Sequence, residues 1–83
     1  MKLIKEMTPK ALVEIVGSQR VLVENHLGLS TYEQEKIVIR TRLGEIRIKG
    51  NDLRLKYMHK ERLIVSGKIM AVYLATEEEN EKT

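Results

Sequence analysis

Ile37-Val38-Ile39-Arg40-Thr41-Arg42-Leu43-Gly44-Glu45-Ile46-Arg47-Ile48-Lys49-Gly50-Asn51-Asp52-Leu53-Arg54-Leu55-Lys56-Tyr57 alternates apolar and polar residues with a period of two. That period belongs to extended chain, because successive side chains leave a strand on opposite faces. Ile37, Ile39, Ile46, Ile48, Leu53, Leu55 and Tyr57 then point one way, while Arg40, Arg42, Arg47, Lys49, Arg54 and Lys56 point the other. Leu43-Gly44 and Gly50-Asn51, the second a good primed-turn dipeptide, divide the run into three short strands. The sequence predicts an antiparallel sheet with one buried face and one cationic face.

Face parity also suggests a register. If Ile39 and Ile48 share a face, the first loop holds an even number of residues, and Arg42 meets Glu45 while Arg40 meets Arg47. A hairpin at Gly50-Asn51 pairs Lys49 with Asp52 and Arg47 with Arg54. Arg40, Arg47 and Arg54 then form a row across the outer face. A row of like charges costs a few tenths of a kcal/mol per directly opposed pair, and is useful where it meets an anion.

The flanking sequence continues the β pattern. Ala11 to Val16 is rich in β-branched residues and reads as a strand, Gly17-Ser18 as a turn, and Arg20 to Asn25 as a second strand. Asn25-His26-Leu27-Gly28 reads as another turn and Leu29 to Glu33 as a third strand. Beyond Tyr57, the polar connection Met58 to Arg62 leads to Leu63-Ile64-Val65, a turn at Ser66-Gly67, and Lys68 to Leu74. This last segment is apolar on both faces, which suits a central strand in a covered sheet or a subunit contact. Ile69, Met70, Val72 and Leu74 are the candidates for self-association. Asn25, Gly28, Gly44, Gly50 and Gly67 are assigned to structural turns. About eight short strands with glycine turns predict an all-β domain, a small antiparallel β-sandwich or a partly open barrel.

Eighty-three residues make one domain, and a chain this short buries only roughly 60–65% of its unfolded surface. There is no cysteine, so no disulfide supports it. His26 and His59 have no neighbouring ligand residues in a metal-site spacing, so no metal or cofactor is expected. Oligomerisation is the remaining means of reinforcing so small a scaffold. The three aromatic residues are Tyr32, Tyr57 and Tyr73, which leaves Ile, Leu and Val to build the core. Met1 to Glu6 carries charges where the apolar part of a signal peptide belongs. Ile69 to Ala75 is the longest apolar run, far short of the ~20 residues of a membrane-spanning helix.

The charge is unevenly placed. Residues 36–62 hold nine Lys and Arg against Glu45, Asp52 and Glu61, a local charge of +6 within a chain of net charge +3. The predicted organisation is an N-terminal arm over residues 1–10, a β domain over 11–75, and a disordered acidic tail over 76–83.

Catalysis finds little support. Glu24 and His26 could be imagined as an acid–base pair, yet no serine is placed by any nucleophile motif. Asn25 and His26 serve more simply as turn residues. The basic face formed by Arg40, Arg47, Arg54, Lys49 and Lys56 is the stronger candidate for binding. It could meet an acidic protein, an anionic membrane surface at about 1 kcal/mol per basic residue, or phosphates; solvated charge is its simplest explanation. A nucleic-acid-binding β domain is the alternative function, although single-strand platforms normally interleave aromatics among their basic residues.

The middle of the chain resembles the YabP/YqfC family of small sporulation proteins from endospore-forming bacteria, over about Ala11 to Leu74. Its anchors are Val23-Glu24-Asn25-His26 with Gly28 and Tyr32, then Ile46-Arg47-Ile48-Lys49-Gly50 followed by Leu53 and Leu55, and finally Glu61 with Val65-Ser66-Gly67-Lys68-Ile69. The Val-Glu-Asn-His-x-Gly stretch points to the YqfC-like branch. The resemblance implies a β-sandwich without enzymatic activity or cofactor, made in the mother cell during sporulation. It further implies a protein–protein interaction module of the mother-cell cytoplasm, peripheral to a membrane and working with a larger membrane-anchored sporulation protein. The family offers no catalytic residues to carry over.

Overall fold

The computed structural model describes residues 11–76. The expected arm over residues 1–10 lies outside them, as does the expected acidic tail over 76–83 apart from its first residue, Thr76, which ends the last strand. The described chain is all-β. Its strands are β1 (Leu12–Val16), β2 (Arg20–Glu24), β3 (His26–Tyr32), β4 (Lys36–Thr41), β5 (Gly44–Met58) and β6 (Arg62–Thr76). They form one antiparallel sheet in the order β1-β2-β6-β5-β4-β3. Six strands replace the expected eight because β5 and β6 run unbroken through Gly50-Asn51 and Ser66-Gly67, where the sequence suggests hairpin tips.

Connectivity requires this sheet to fold over. Glu24 ends β2 opposite Arg62, beside the Met58 end of β5. His26 begins β3 opposite Thr41, which itself pairs with Gly44 at the other end of β5. Residues 24 and 26 are at most ~7 Å apart along the chain. The two ends of a straight strand as long as β5 would be separated by about 45 Å. The β5–β6 ladder must therefore bend sharply near its middle. On one side of the bend, residues 44–49 and 71–76 of the two strands associate with β4 and β3. On the other, residues 54–58 and 62–66 associate with β2 and β1. The halves face one another, so a two-layered sandwich arises from a single folded sheet.

Burial agrees with that geometry. Val21, Val23, Ile37, Ile39, Ile48, Leu63 and Val65 have no exposed surface, and Leu53 only 1%. A lone flat sheet leaves both faces wet; complete burial needs the second layer. Ile46 and Ile69 complete the cluster, with Val13, Leu29, Leu55 and Val72 packed against it.

Glycine permits the bend. A Cβ on Gly50 would lie 2.0 Å from the Lys68 carbonyl oxygen, and one on Gly67 would lie 2.5 Å from that of Asp52. The two backbones cross so closely there that a side chain on either would separate them. The ladder is irregular over the same stretch, with register shifts at Lys49/Gly50 and between Asn51 and Arg54. Such bulges sharpen the bend of a strand. Backbone donors at the crossing are met by two neighbouring turns. Gly50 and Leu53 donate to the Glu35 and Gln34 carbonyls at 3.1 and 2.8 Å, while Gly67 and Ile69 donate to those of Gln19 and Ser18 at 3.2 and 2.8 Å. The β3–β4 and β1–β2 connections thus clasp the bend from either side.

At the far end, Asn25 adopts a left-handed φ of 65° between β2 and β3. Its N–H donates to the Glu61 carbonyl in the β5–β6 connection, tying that connection to the passage from one layer to the other. Asparagine tolerates this conformation better than most residues. Gly28, expected in a turn, instead lies inside β3 at a register shift, with φ 124°.

Candidate functional site

The outer face of β4 and β5 carries the cationic residues singled out in the sequence. Arg40, Arg47, Lys49, Arg54 and Lys56 are all exposed, while Ile39, Ile48 and Leu53 are buried. The alternation therefore separates the two sets. It does not, however, create the expected row. Arg40 pairs with Glu45, and Arg47 lies between Val38 and Tyr73. The loop tip is Arg42-Leu43, with Gly44 beginning β5, so the register differs by two residues from the expected one. Such a shift preserves every face and changes every partner. Thr41 holds this tip: its Oγ1 donates to the Gly44 carbonyl at 2.8 Å and accepts from the Leu43 N–H at 3.1 Å.

Arg54 is separated from Arg47 by the bend and pairs with Ser66. Arg40, Arg47 and Lys49 consequently belong to one layer, and Arg54 and Lys56 to the other. The cationic surface follows the convex side of a bent strand. Arg47 reaches Glu45 at 3.4 Å in an exposed contact, of the kind that contributes well under 1 kcal/mol. Among the described residues, Arg40, Arg54 and Lys56 have no ion-pair partner within 4 Å.

Tyrosines mark a departure from the sequence reading. Tyr57, assigned inward, is 45% exposed and stacks on His59 with ring centroids 6.2 Å apart. Tyr73 stands beside Arg47 in the ladder, with the Lys49 ammonium 5.9 Å from its ring centroid. An aromatic therefore interrupts the basic surface after all. Sequence parity within residues 37–57 had no means of finding it, because it arrives from the neighbouring β6.

Elsewhere the imagined acid–base pair separates. Glu24 Oε2 accepts from Arg62 Nη2 at 2.8 Å and Nε at 3.1 Å, whereas His26 is buried and contacts the His59 carbonyl through Nε2 at 2.9 Å. With a carbonyl as acceptor, Nε2 must carry the proton. His26 thereby joins the start of β3 to the β5–β6 connection. A cavity of about 260 Å³ nearby is lined by Glu24, Asn25, Tyr57, His59, Glu61 and Arg62, without His26. No group of three or more His, Asp or Glu residues among the described residues could hold a metal ion. No described helix is long and apolar enough to cross a membrane.

The self-association candidates divide between core and surface. Ile69 belongs to the core and Val72 packs against it, whereas Met70 and Leu74 are 69% and 55% exposed. A register shift at Lys49/Gly50 leaves Met70 without a partner on β5, while Val72 and Leu74 pair with the core residues Ile48 and Ile46.

Comparison with known proteins adds the class to this architecture. The model of the YabP family matches residues 7–81, which include both clasped turns, the bend and the cationic strand. The chain belongs to the YabP family. Family membership supports a role in sporulation. No curated protein and no solved structure gives a significant match.

Proposed function

We propose that the protein is a non-enzymatic interaction module of endospore formation. It acts in the mother cell, in the YqfC-like branch of its family, and docks a membrane-anchored sporulation protein from the cytoplasmic side. The observation that carries this reading is the convex cationic surface of β4–β5, exposed over both layers and weakly neutralised. A rigid two-layer sandwich whose apolar interior is occupied by its own packing has its outer surface left for function. An acidic segment of the partner supplies the matching charge, with anionic headgroups nearby strengthening attachment.

Capture of partners from detergent-solubilised sporulating cells tests the reading. The wild-type chain should retain a membrane protein that a variant with Arg40, Arg47 and Arg54 all changed to Gln loses, while both unfold at the same temperature within about 2 °C. Equal capture by the two proteins would dismiss the cationic surface as the docking site.

Tyr73 beside Arg47 and Lys49 favours a second reading, in which the same surface binds single-stranded nucleic acid by phosphate contact and base stacking. Fluorescence anisotropy with short oligonucleotides at low salt separates the two. Binding that weakens steeply with salt and on Tyr73→Ala supports nucleic acid; no binding at tens of micromolar removes it.

A further inference from the structure

The folded sheet has four outer edges, β1 and residues 54–58 of β5 in one layer, β3 and the distal part of β6 in the other. Exposed edges invite pairing with another chain, and proteins ordinarily defend them with short length, charge or bulges. β1 is five residues long and carries Glu14. β3 has register shifts at His26/Gly28 and Leu29/Thr31. Residues 54–58 of β5 carry Arg54 and Lys56, and the Leu55 N–H is already bonded to the Tyr32 hydroxyl at 3.1 Å. The remaining edge has no charge, and its one irregularity, the register shift that leaves Met70 without a partner on β5, lies at its start. From Met70 to Thr76 it reads Met-Ala-Val-Tyr-Leu-Ala-Thr, without charge or proline. No described strand pairs with its outer side. The β1–β2 turn stops alongside Ile69, whose N–H it occupies.

We propose that this edge pairs with the same edge of a second copy, joining two sandwiches through a continuous antiparallel sheet across a two-fold axis. The free segment is symmetric about Tyr73, which therefore faces its own counterpart. Val72 meets Leu74, Ala71 meets Ala75, and Met70 meets Thr76. Every pair is uncharged, and Leu74, half exposed in the single chain, gains an apolar neighbour. In this arrangement the β5 strands of the two copies lie three strand spacings apart, about 14 Å. That exceeds the ~8 Å screening length at physiological salt, so their basic residues do not oppose assembly.

Charge complementarity identifies a second copy as the occupant. In sequence, Thr76 is followed by Glu77, Glu78 and Glu79. In an antiparallel copy Thr76, the last described residue, stands opposite Met70, one residue from Ile69 and the bend. There a cavity of about 560 Å³ is lined by Arg20, Lys56 and Lys68, with Asp52 as its single acidic residue. Each copy thus offers a basic cleft to the acidic end of the other. This inference deepens the proposed interaction role without using the Arg40–Arg47 surface, so either can fail alone.

Light scattering coupled to size exclusion on the full chain is the test. The wild type should be a dimer at tens of micromolar. Met70→Lys together with Leu74→Lys, both at exposed positions, should give a monomer with unchanged circular dichroism. Changing Glu77, Glu78 and Glu79 to Lys should weaken the dimer by about tenfold or more, with the difference shrinking in high salt. Because the chain has no cysteine, Tyr73→Cys introduces a unique thiol that should form a disulfide-linked dimer on mild oxidation, while Lys60→Cys should not. A wild-type monomer at several hundred micromolar would overturn the proposal and leave residues 1–10 or another protein to cover the edge. A dimer that survives the double lysine change would equally overturn it by placing the interface elsewhere.

Discussion

Replacing Gly50 by Ala tests the reason for the bend with a single methyl group. The new Cβ would stand 2.0 Å from the Lys68 carbonyl oxygen, 3.0 Å from its carbon and 3.1 Å from Leu53 Cδ2. The first two obstacles are backbone, so no rotamer change relieves them and β5 and β6 must part. Overpacking a core ordinarily costs about 1–3 kcal/mol. Separation here also strains the Gly50–Glu35 and Leu53–Gln34 hydrogen bonds, each contributing about 1 kcal/mol. An expected loss of about 3 kcal/mol or more is a large share of the roughly 4–12 kcal/mol available to a domain of this size. It should lower Tm by about 12–25 °C. Gly17→Ala is the control, because its Cβ meets nothing within 4 Å and only its φ of +56° resists substitution, at about 1–2 kcal/mol. Urea unfolding of the two variants and the wild type gives the comparison. If Gly50→Ala is no more costly than Gly17→Ala, Gly50 lies in an open turn and the close crossing is wrong.

Leu53→Ala should cost about 2–5 kcal/mol, since Leu53 is 1% exposed and lies next to the bend; urea titration measures it. Thr41→Val preserves shape but removes both hydrogen bonds at the Arg42-Leu43 tip, so a loss of about 1–2 kcal/mol is expected, with faster amide exchange at Leu43. At Asp52, whose φ is +54°, glycine should be neutral or stabilising by up to about 1 kcal/mol whereas valine should destabilise; thermal melts distinguish these outcomes.

Much of the layer structure could be read from residues 37–57, because alternation settles which side chains share a face. It settles neither partner nor strand length. Arg40 can face Glu45 or Arg47 with every isoleucine still inside, since the two registers differ by an even step. Gly50-Asn51 and Ser66-Gly67 were harder to read. A hairpin tip uses glycine for its left-handed conformations, whereas a close strand crossing uses glycine for its missing Cβ, and the local sequence is the same for both. Only the long-range connection through Asn25 decides between them, by requiring the ends of β5 to meet the two ends of a single short link. The basic residues were legible individually. Their division between layers, and the arrival of Tyr73 among them, depended on that same bend.

Both the cationic convex surface and the free edge depend on β5 and β6 continuing unbroken through the bend. Nuclear Overhauser contacts between backbone protons of the isotopically labelled chain test this most directly. Cross-strand contacts should join Arg47 to Tyr73, Asn51 to Lys68 and Leu22 to Ile64, together with contacts from Asn25 to Glu61. Contacts joining Lys49 to Asp52 and Ile64 to Ile69 in their place would mean two tight hairpins, and would contradict the folded single sheet.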